Sequence, residues 1–579
     1  MEGDGRRGGA GLTDVALAAV LAVAGFALFR PDWFHIQNGL DPFFYTGLSL
    51  NLSEAIDYGA DAHYFLSRWT LYMPELLAQR LLGPSVGFVA TRLVLLTLAG
   101  VGLAFLRPAT SRRLDLVPVA VIGLFSPLVV RAVFVDYSDA IVVPCGLVML
   151  ALAARGRVGV RTSVAIGVLG AAAVVANTFA VVMVAITVGG YLARSLRRPG
   201  RLLAQMAAVL AAGTVVVGAG LVLFRWRYGI PNVYSPAISF VRDNAGNRDP
   251  LKSPRLLWLH FRLWVFLPPL LLAAAAALRA GRVIRLGSAE LVVLGVAAVQ
   301  YVFQVLYQLV LDGSTLEIHY YFSYMVPAYS AALAVVLYAL LQRCSKLATW
   351  AATAAVVALL AAWRHLPEVH LASWATFVAG VLAVGVIGGA LARRLPVLLP
   401  LGVAAVALAA QLAPPTREPI LPGELRVQAG YDTVYRGGTS IGVEWFRAIP
   451  PFLDQVRGLD PQVRKRAGWV VGRGTAQQKA AALSVQVGMP RRLLNPPAEP
   501  LDPYLPVNPL RFAPDRFVEQ GLTHVIVVCL PEELPIALTR LAELGFVVGP
   551  PLLDDVDTLA TPATQLYVAP MALRGAGVP

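Results

Sequence analysis

The chain has 579 residues, 57% of them hydrophobic and only 14% charged, with a mean hydropathy of +0.66. Soluble domains carry about 25% charged residues, so an ordinary soluble globular protein is excluded and a multi-pass α-helical membrane protein is expected. The formal charge of +14 would suit a nucleic-acid partner, but its distribution along the chain argues for no nucleic acid.

Apolar runs near 20 residues can each cross about 30 Å of hydrocarbon, and about thirteen such runs are present. The first, residues 11–30, follows GRRGG without a convincing small-residue cleavage site. It is therefore expected to be a retained helix rather than a removed signal peptide. After a long segment at 31–83, helices are expected at 85–106, 114–133, 139–154, 162–175, 178–193, 202–224, 256–278, 287–311, 318–341, 347–363, 371–392 and 397–412. The division of 162–193 rests on Asn177 and Thr178, which interrupt the apolar run.

Six short loops collect the positive charge: 107–113, 155–161, 194–201, 279–285, 342–346 and 393–394. They hold three, three, four, three, two and two Lys or Arg, 17 in all, and no Asp or Glu. They occupy every second loop, which is the positive-inside pattern of a plasma (inner) membrane protein with a cytoplasmic N-terminus. An odd number of spans then sends the C-terminus outward.

Residues 413–579 are expected to form an extracytoplasmic α/β domain after the Pro-rich linker APPTREPILPGE. Its strand-like runs are 468–471, 524–530, 546–549 and 565–570, with a helix expected over PEELPIALTRLAEL. The GRGT at 472–475 lacks the Lys-Ser/Thr of a nucleotide loop and is discounted. Cys145, Cys344 and Cys529 show no disulfide framework or metal spacing.

Two loops expected on the outer face are opposite in charge. Residues 31–83 hold six acids, Asp41 among them, against Arg68 and Arg80. Residues 225–255 hold six bases, including Arg242, Arg248, Lys252 and Arg255, against two acids. One loop could supply a base and the other could grip a phosphate through charge-assisted hydrogen bonds. In NGLDPFFYTG, Asp41 precedes Pro42, as at a helix start, and Tyr45 falls four residues on, on the same helical face. The same pattern suits a plain N-cap.

Asp136 and Asp139 lie in the short turn FVDYSDA, where acids beside apolar spans are costly and often functional; a capped interfacial turn is the alternative. Arg131 precedes them and could pair with either. Glu317 and His319 open a Tyr-rich helix start that equally suits interfacial anchoring. Arg262 sits just inside a helix, where snorkelling explains it as well as lipid-phosphate binding does.

Residues 11–412 resemble the GT-C glycosyltransferases, polytopic enzymes that use polyprenyl-phosphate sugars. The likeness rests on Asp41 in D-x-x-x-Y after the first helix and on HYFLSRWTLYMPELLAQRLLG before the second. The acidic turn VDYSD and a soluble outer domain after the last helix complete it. The resemblance implies inverting transfer of a sugar to a glycan, lipid or protein acceptor in cell-envelope biogenesis, with Asp41 as general base. Among the named residues, Tyr45, Arg68, Arg131, Arg242, Arg248, Lys252, Arg255, Arg262, Glu317 and His319 are the substrate-binding candidates. No cofactor follows with certainty, and a divalent metal is compatible with the site. The rival classes are a lipid-linked-substrate transporter or flippase, a polysaccharide polymerase and a scaffold. The transporter is disfavoured by the lack of a repeat.

Overall fold

Inside hydrocarbon every backbone amide must find its partner within its own segment, which makes long apolar runs helical. The computed structural model describes residues 11–29, 45, 47–50, 52–53, 56, 64–134, 139–244, 263–310, 324–362, 397–412, 459–460, 463, 466–472, 514–557 and 564–574. The described chain is mostly helical, with a small C-terminal sheet.

The helices in chain order are α1 (Leu12–Phe29), α2 (Trp69–Leu82), α3 (Pro84–Phe105), α4 (Leu116–Phe125), α5 (Pro127–Phe134), α6 (Asp139–Arg155), α7 (Val160–Ala176) and α8 (Ala180–Ala193). They continue as α9 (Pro199–Tyr228), α10 (Ser235–Asn244), α11 (Leu267–Ala280), α12 (Ser288–Val310), α13 (Val326–Leu341), α14 (Lys346–Ala362) and α15 (Leu398–Leu412). The helix expected over 114–133 breaks at Ser126 into α4 and α5, because Pro127 cannot donate a backbone hydrogen bond. The interrupted run at 162–193 does form two helices, and the Asn177 side chain accepts the Phe179 N–H at 3.2 Å in the turn between them. The helix expected at 371–392 lies outside the described residues.

Three of these helices are long and apolar enough to cross a membrane: α3 from Val86, α9 and α12. The other apolar helices are shorter. With 30 residues, α9 reaches about 45 Å. Its apolar middle is largely exposed, and it ends on Arg225, Trp226 and Arg227, with Trp226 83% exposed. An apolar shaft closed by Trp and Arg is what a lipid-facing helix presents at a membrane boundary. By contrast, every residue of α13 is buried, as is nearly all of α6. Helices apolar on all sides belong at the centre of a bundle, and α6 packs there against α3, α7, α8, α12 and α13.

The described basic loops meet at one end of this bundle, where their arginines cap helix ends. The Arg194 side chain donates to the carbonyls of Ala153 and Gly156 at 2.6 and 3.2 Å, and Arg155 donates to that of Leu106 at 2.8 Å. These carbonyls close the C-termini of α6 and α3, where orphan acceptors and the negative end of the helix dipole favour cations. Three acids join them: Asp14 with Arg107 at 3.1 Å, Asp115 with Arg112 at 2.9 Å, and Glu290 with Arg155. Arg112 also reaches the Leu341 carbonyl, which ties the end of α13 to the same layer.

The C-terminal strands are β1 (Ala467–Val471), β2 (His524–Cys529), β3 (Phe546–Val548), β4 (Leu553–Asp557) and β5 (Thr564–Leu573). The order is β1-β2-β5-β3 with β4 also paired to β5; β1 and β2 are parallel and the pairs made by β5 antiparallel. Helices α16 (Pro514–Glu519) and α17 (Leu534–Glu543) complete this part, and the apolar side of α17 packs with Val525, Val527 and Tyr567 on one sheet face. The sequence pattern misses β4, because LDDVD carries three Asp, a residue depleted in strands. A Cβ at Gly472, first residue of GRGT, would collide with Glu533 and Cys529, so glycine fits this close approach.

Burial, reinforced by Glu533 and Glu532, pushes the Cys529 thiol up to about 12. At pH 8 it should therefore stay a protonated, enclosed thiol. Iodoacetamide should leave Cys529 unmodified in the native chain and modify it after unfolding, read by peptide mass. Rapid native labelling would show that β2 does not sit inside a sheet.

Candidate functional site

The acidic first loop and the basic loop meet at the end of the bundle away from the arginine layer. α7 and α9 both start in that layer, so Ala172 and Tyr228 lie toward the opposite end. There the Thr70 hydroxyl donates to the Ala172 carbonyl at 2.9 Å. The Trp69 indole donates to the Tyr234 hydroxyl at 2.9 Å, and that hydroxyl donates to the Val217 carbonyl at 3.1 Å. Burial pushes the Tyr234 phenol up, with the Trp69 hydrogen bond opposing, so it remains a neutral donor. α10, from the basic loop, packs on the 3-10 turn Tyr64–Arg68 of the acidic loop.

That turn holds Arg68 in an aromatic box. Its guanidinium donates to the Tyr45 hydroxyl and stands 5.7 Å from the Tyr45 ring, 5.0 Å from Tyr64 and 6.0 Å from Phe65. Tyr45 is fully buried and meets Phe65 edge to face at 5.4 Å. Ring faces attract a cation and hold its plane. The result is a preorganised guanidinium, suited to the paired oxygens of a phosphate.

α2 carries this box against the bundle with its polarity reversed. Glu75 and Gln79 face inward, while Leu77, Leu81 and Leu82 face outward, Leu81 at 74% exposure. An outward apolar edge fits a helix lying against lipid. The inward carboxylate is enclosed: Glu75 pairs with Arg92 of α3 at 2.8 Å, with side chains 2% and 1% exposed. Ser49 donates to Glu75 at 2.9 Å and Gln79 donates at 3.1 Å, while Arg92 stacks over Phe88 at 4.5 Å. The chain reverses from α2 into α3 at Gly83, whose φ of +83° suits glycine. One turn later, Gly87 lets the backbone of Gln79 rest directly on α3.

Of the residues singled out by sequence, the structure brings Tyr45 and Arg68 into contact and places Arg242, exposed, on the adjoining α10. Asp139 is buried in the first turn of α6, at the same end of the bundle, where the helix dipole favours an anion. Arg131 lies on α5. Asp41, Asp136, Arg248, Lys252, Arg255, Arg262, Glu317 and His319 lie outside the described residues. Glu75 entered the sequence reading only as one acid among six, and Arg92 was missed inside an expected span. A lone arginine in an apolar run is the signal that could have exposed the pair. Among the described residues, no group of three His, Cys, Asp or Glu could hold a metal ion. Comparison with known proteins brings no family model, no curated protein and no solved structure that matches the chain.

Removing one partner of a buried ion pair strands the other charge, at a cost of about 3–5 kcal/mol. Glu75→Leu and Arg92→Leu should each destabilise the purified protein by that order, and the double variant should recover much of the loss. Thermal unfolding in one detergent measures all three. Additive losses would show that the two side chains do not act as a pair.

Proposed function

We propose that this chain is a membrane-embedded glycosyltransferase that moves a sugar from a polyprenyl-phosphate donor to a glycan, lipid or protein acceptor outside the cytoplasm. One observation carries the proposal. Tyr45, four residues after Asp41, fixes Arg68 in its aromatic box beside the helix that carries Arg242. In this reading Asp41 supplies a carboxylate and Arg68 with the basic loop supplies cations, the two things that transfer from a lipid phosphate requires.

In this scheme the acceptor oxygen attacks the anomeric carbon from the face opposite the phosphate, and Asp41 takes the proton from the acceptor hydroxyl. The bond from the anomeric carbon to the phosphate oxygen breaks, and its electron pair leaves with the polyprenyl phosphate. The departing charge is met by Arg68 and by the basic loop, from Arg242, Arg248, Lys252 and Arg255. The apolar seams of the bundle take the polyprenyl chain. Thirteen crossings, a cytoplasmic arginine layer and an extracytoplasmic C-terminal domain complete the proposal.

Asp41→Asn tests the chemistry. Asn caps a helix about as well as Asp, so the variant should fold. Its amide cannot accept a proton, so sugar transfer by the purified variant should be abolished. Full activity would remove Asp41 from the mechanism and leave Asp136 or Asp139 as the base. Orientation is tested separately: a reporter active only in the cytoplasm, fused after Pro579, should be silent. An active reporter would rule out the odd-span topology.

A further inference from the structure

α12 is sided in an unusual way. Val299, Val302, Phe303, Leu306 and Val310 face outward and are exposed, while Gln300, Gln304 and Gln308 face inward at 1, 4 and 2% exposure. These three amides recur every four residues, so they form one rail about 12 Å long. α12 leaves the arginine layer at Glu290, so the rail climbs from mid-bundle toward the end that holds the Arg68 box.

The rail is only partly satisfied. Gln300 donates to the Tyr324 carbonyl at 2.5 Å. The side-chain oxygens of Gln300 and Gln304 are enclosed and have no hydrogen-bond partner among the described residues. Buried amides without partners are costly. The cost is explained where a hydrogen-bonding ligand comes to the amides for part of the working cycle.

The surrounding chemistry selects the ligand class. Residues 291–310 and 324–341 contain no charged side chain. The ring of Tyr324 lies 6.2 Å from Phe179, beside the buried Asn177. Amides and phenols exchange hydrogen bonds with neutral hydroxyls, whereas a phosphate calls for cations.

We infer that the Gln300–Gln304–Gln308 rail binds the hydroxyl-bearing sugar head of a membrane-borne glycolipid, admitted as α12 and α13 part. The rail stands on its own geometry: a sugar-binding seam serves a transferase, and it survives if Asp41 is not the base.

The probe is a decyl β-glucoside carrying a photoreactive diazirine on its alkyl chain, with the full-length protein in phosphatidylcholine nanodiscs. Labelling should map to peptides of α12 and α13, and unlabelled decyl glucoside should compete while decyl phosphate should not. Gln304→Met should weaken labelling about tenfold and leave the melting temperature unchanged or raised, since it removes a buried amide oxygen that has no partner among the described residues. Gln300→Met should weaken labelling too and serves if the first variant misfolds. Labelling elsewhere, stronger competition by decyl phosphate, or labelling unchanged in both variants would overturn the inference. So would a fall in melting temperature with labelling kept, the behaviour of amides that merely join helices. No outcome depends on sugar transfer, so this result and that of Asp41→Asn can fail independently.

Discussion

A carboxylate and a guanidinium sealed between α2 and α3 fix the first loop to the bundle. Glu75 and Arg92 are both almost completely enclosed, and Ser49 and Gln79 also donate to the carboxylate. Such a pair gains little over well-packed apolar side chains, yet it is strongly disfavoured to break and demands one geometry. That geometry sets the angle at which α2 leaves Gly83, and with it the position of the Tyr64–Arg68 turn at the other end of α2. Trp69 and Thr70 then secure that turn to α9 and α7 through Tyr234 and the Ala172 carbonyl.

The two ends of the bundle use charge differently. At one end, arginines from separate loops converge on helix C-termini and on Asp14, Asp115 and Glu290. The sequence shows these residues as an orientation signal; folded, they also join α1, α3, α6, α12 and α13 into one layer. At the other end, Arg68 is held among aromatic rings and donates to the Tyr45 hydroxyl. Ring faces orient a cation without neutralising it. The phosphate-binding reading centres on this oriented guanidinium.

Along α12, between these ends, the buried polar groups are neutral amides. The amides of α12 are buried, where an ionised group would be costly, and they climb toward the end of the bundle that holds the Arg68 box. A donor made of lipid, phosphate and sugar has three chemically distinct parts. In the proposed reading, the exposed apolar edges of α2 and α9, the boxed Arg68 and the amide rail would each meet one of these parts.

Much of the helical scaffold was legible in the sequence, because hydrocarbon forces apolar runs into helices wherever they pack. The expected 139–154 and 287–311 appear as α6 and α12 within a residue or two at each end, and Asn177 marks the α7–α8 turn. Five of the six basic loops lie among the described residues, and these share one end of the bundle. Short charged segments were harder: β4 reads as a loop because its three aspartates hide a strand that exists only through pairing with β5. The candidate site was legible as residue types but not as contacts. Tyr45 and Arg68 could be named separately, yet 22 residues lie between them and only the folded turn brings hydroxyl to guanidinium. Glu75 with Arg92, Trp69 with Tyr234, and the inward face of Gln300, Gln304 and Gln308 were decided by tertiary structure alone. Hydropathy records how apolar a segment is, whereas burial and pairing depend on which neighbour each face meets, and that neighbour is set by the packing of distant helices.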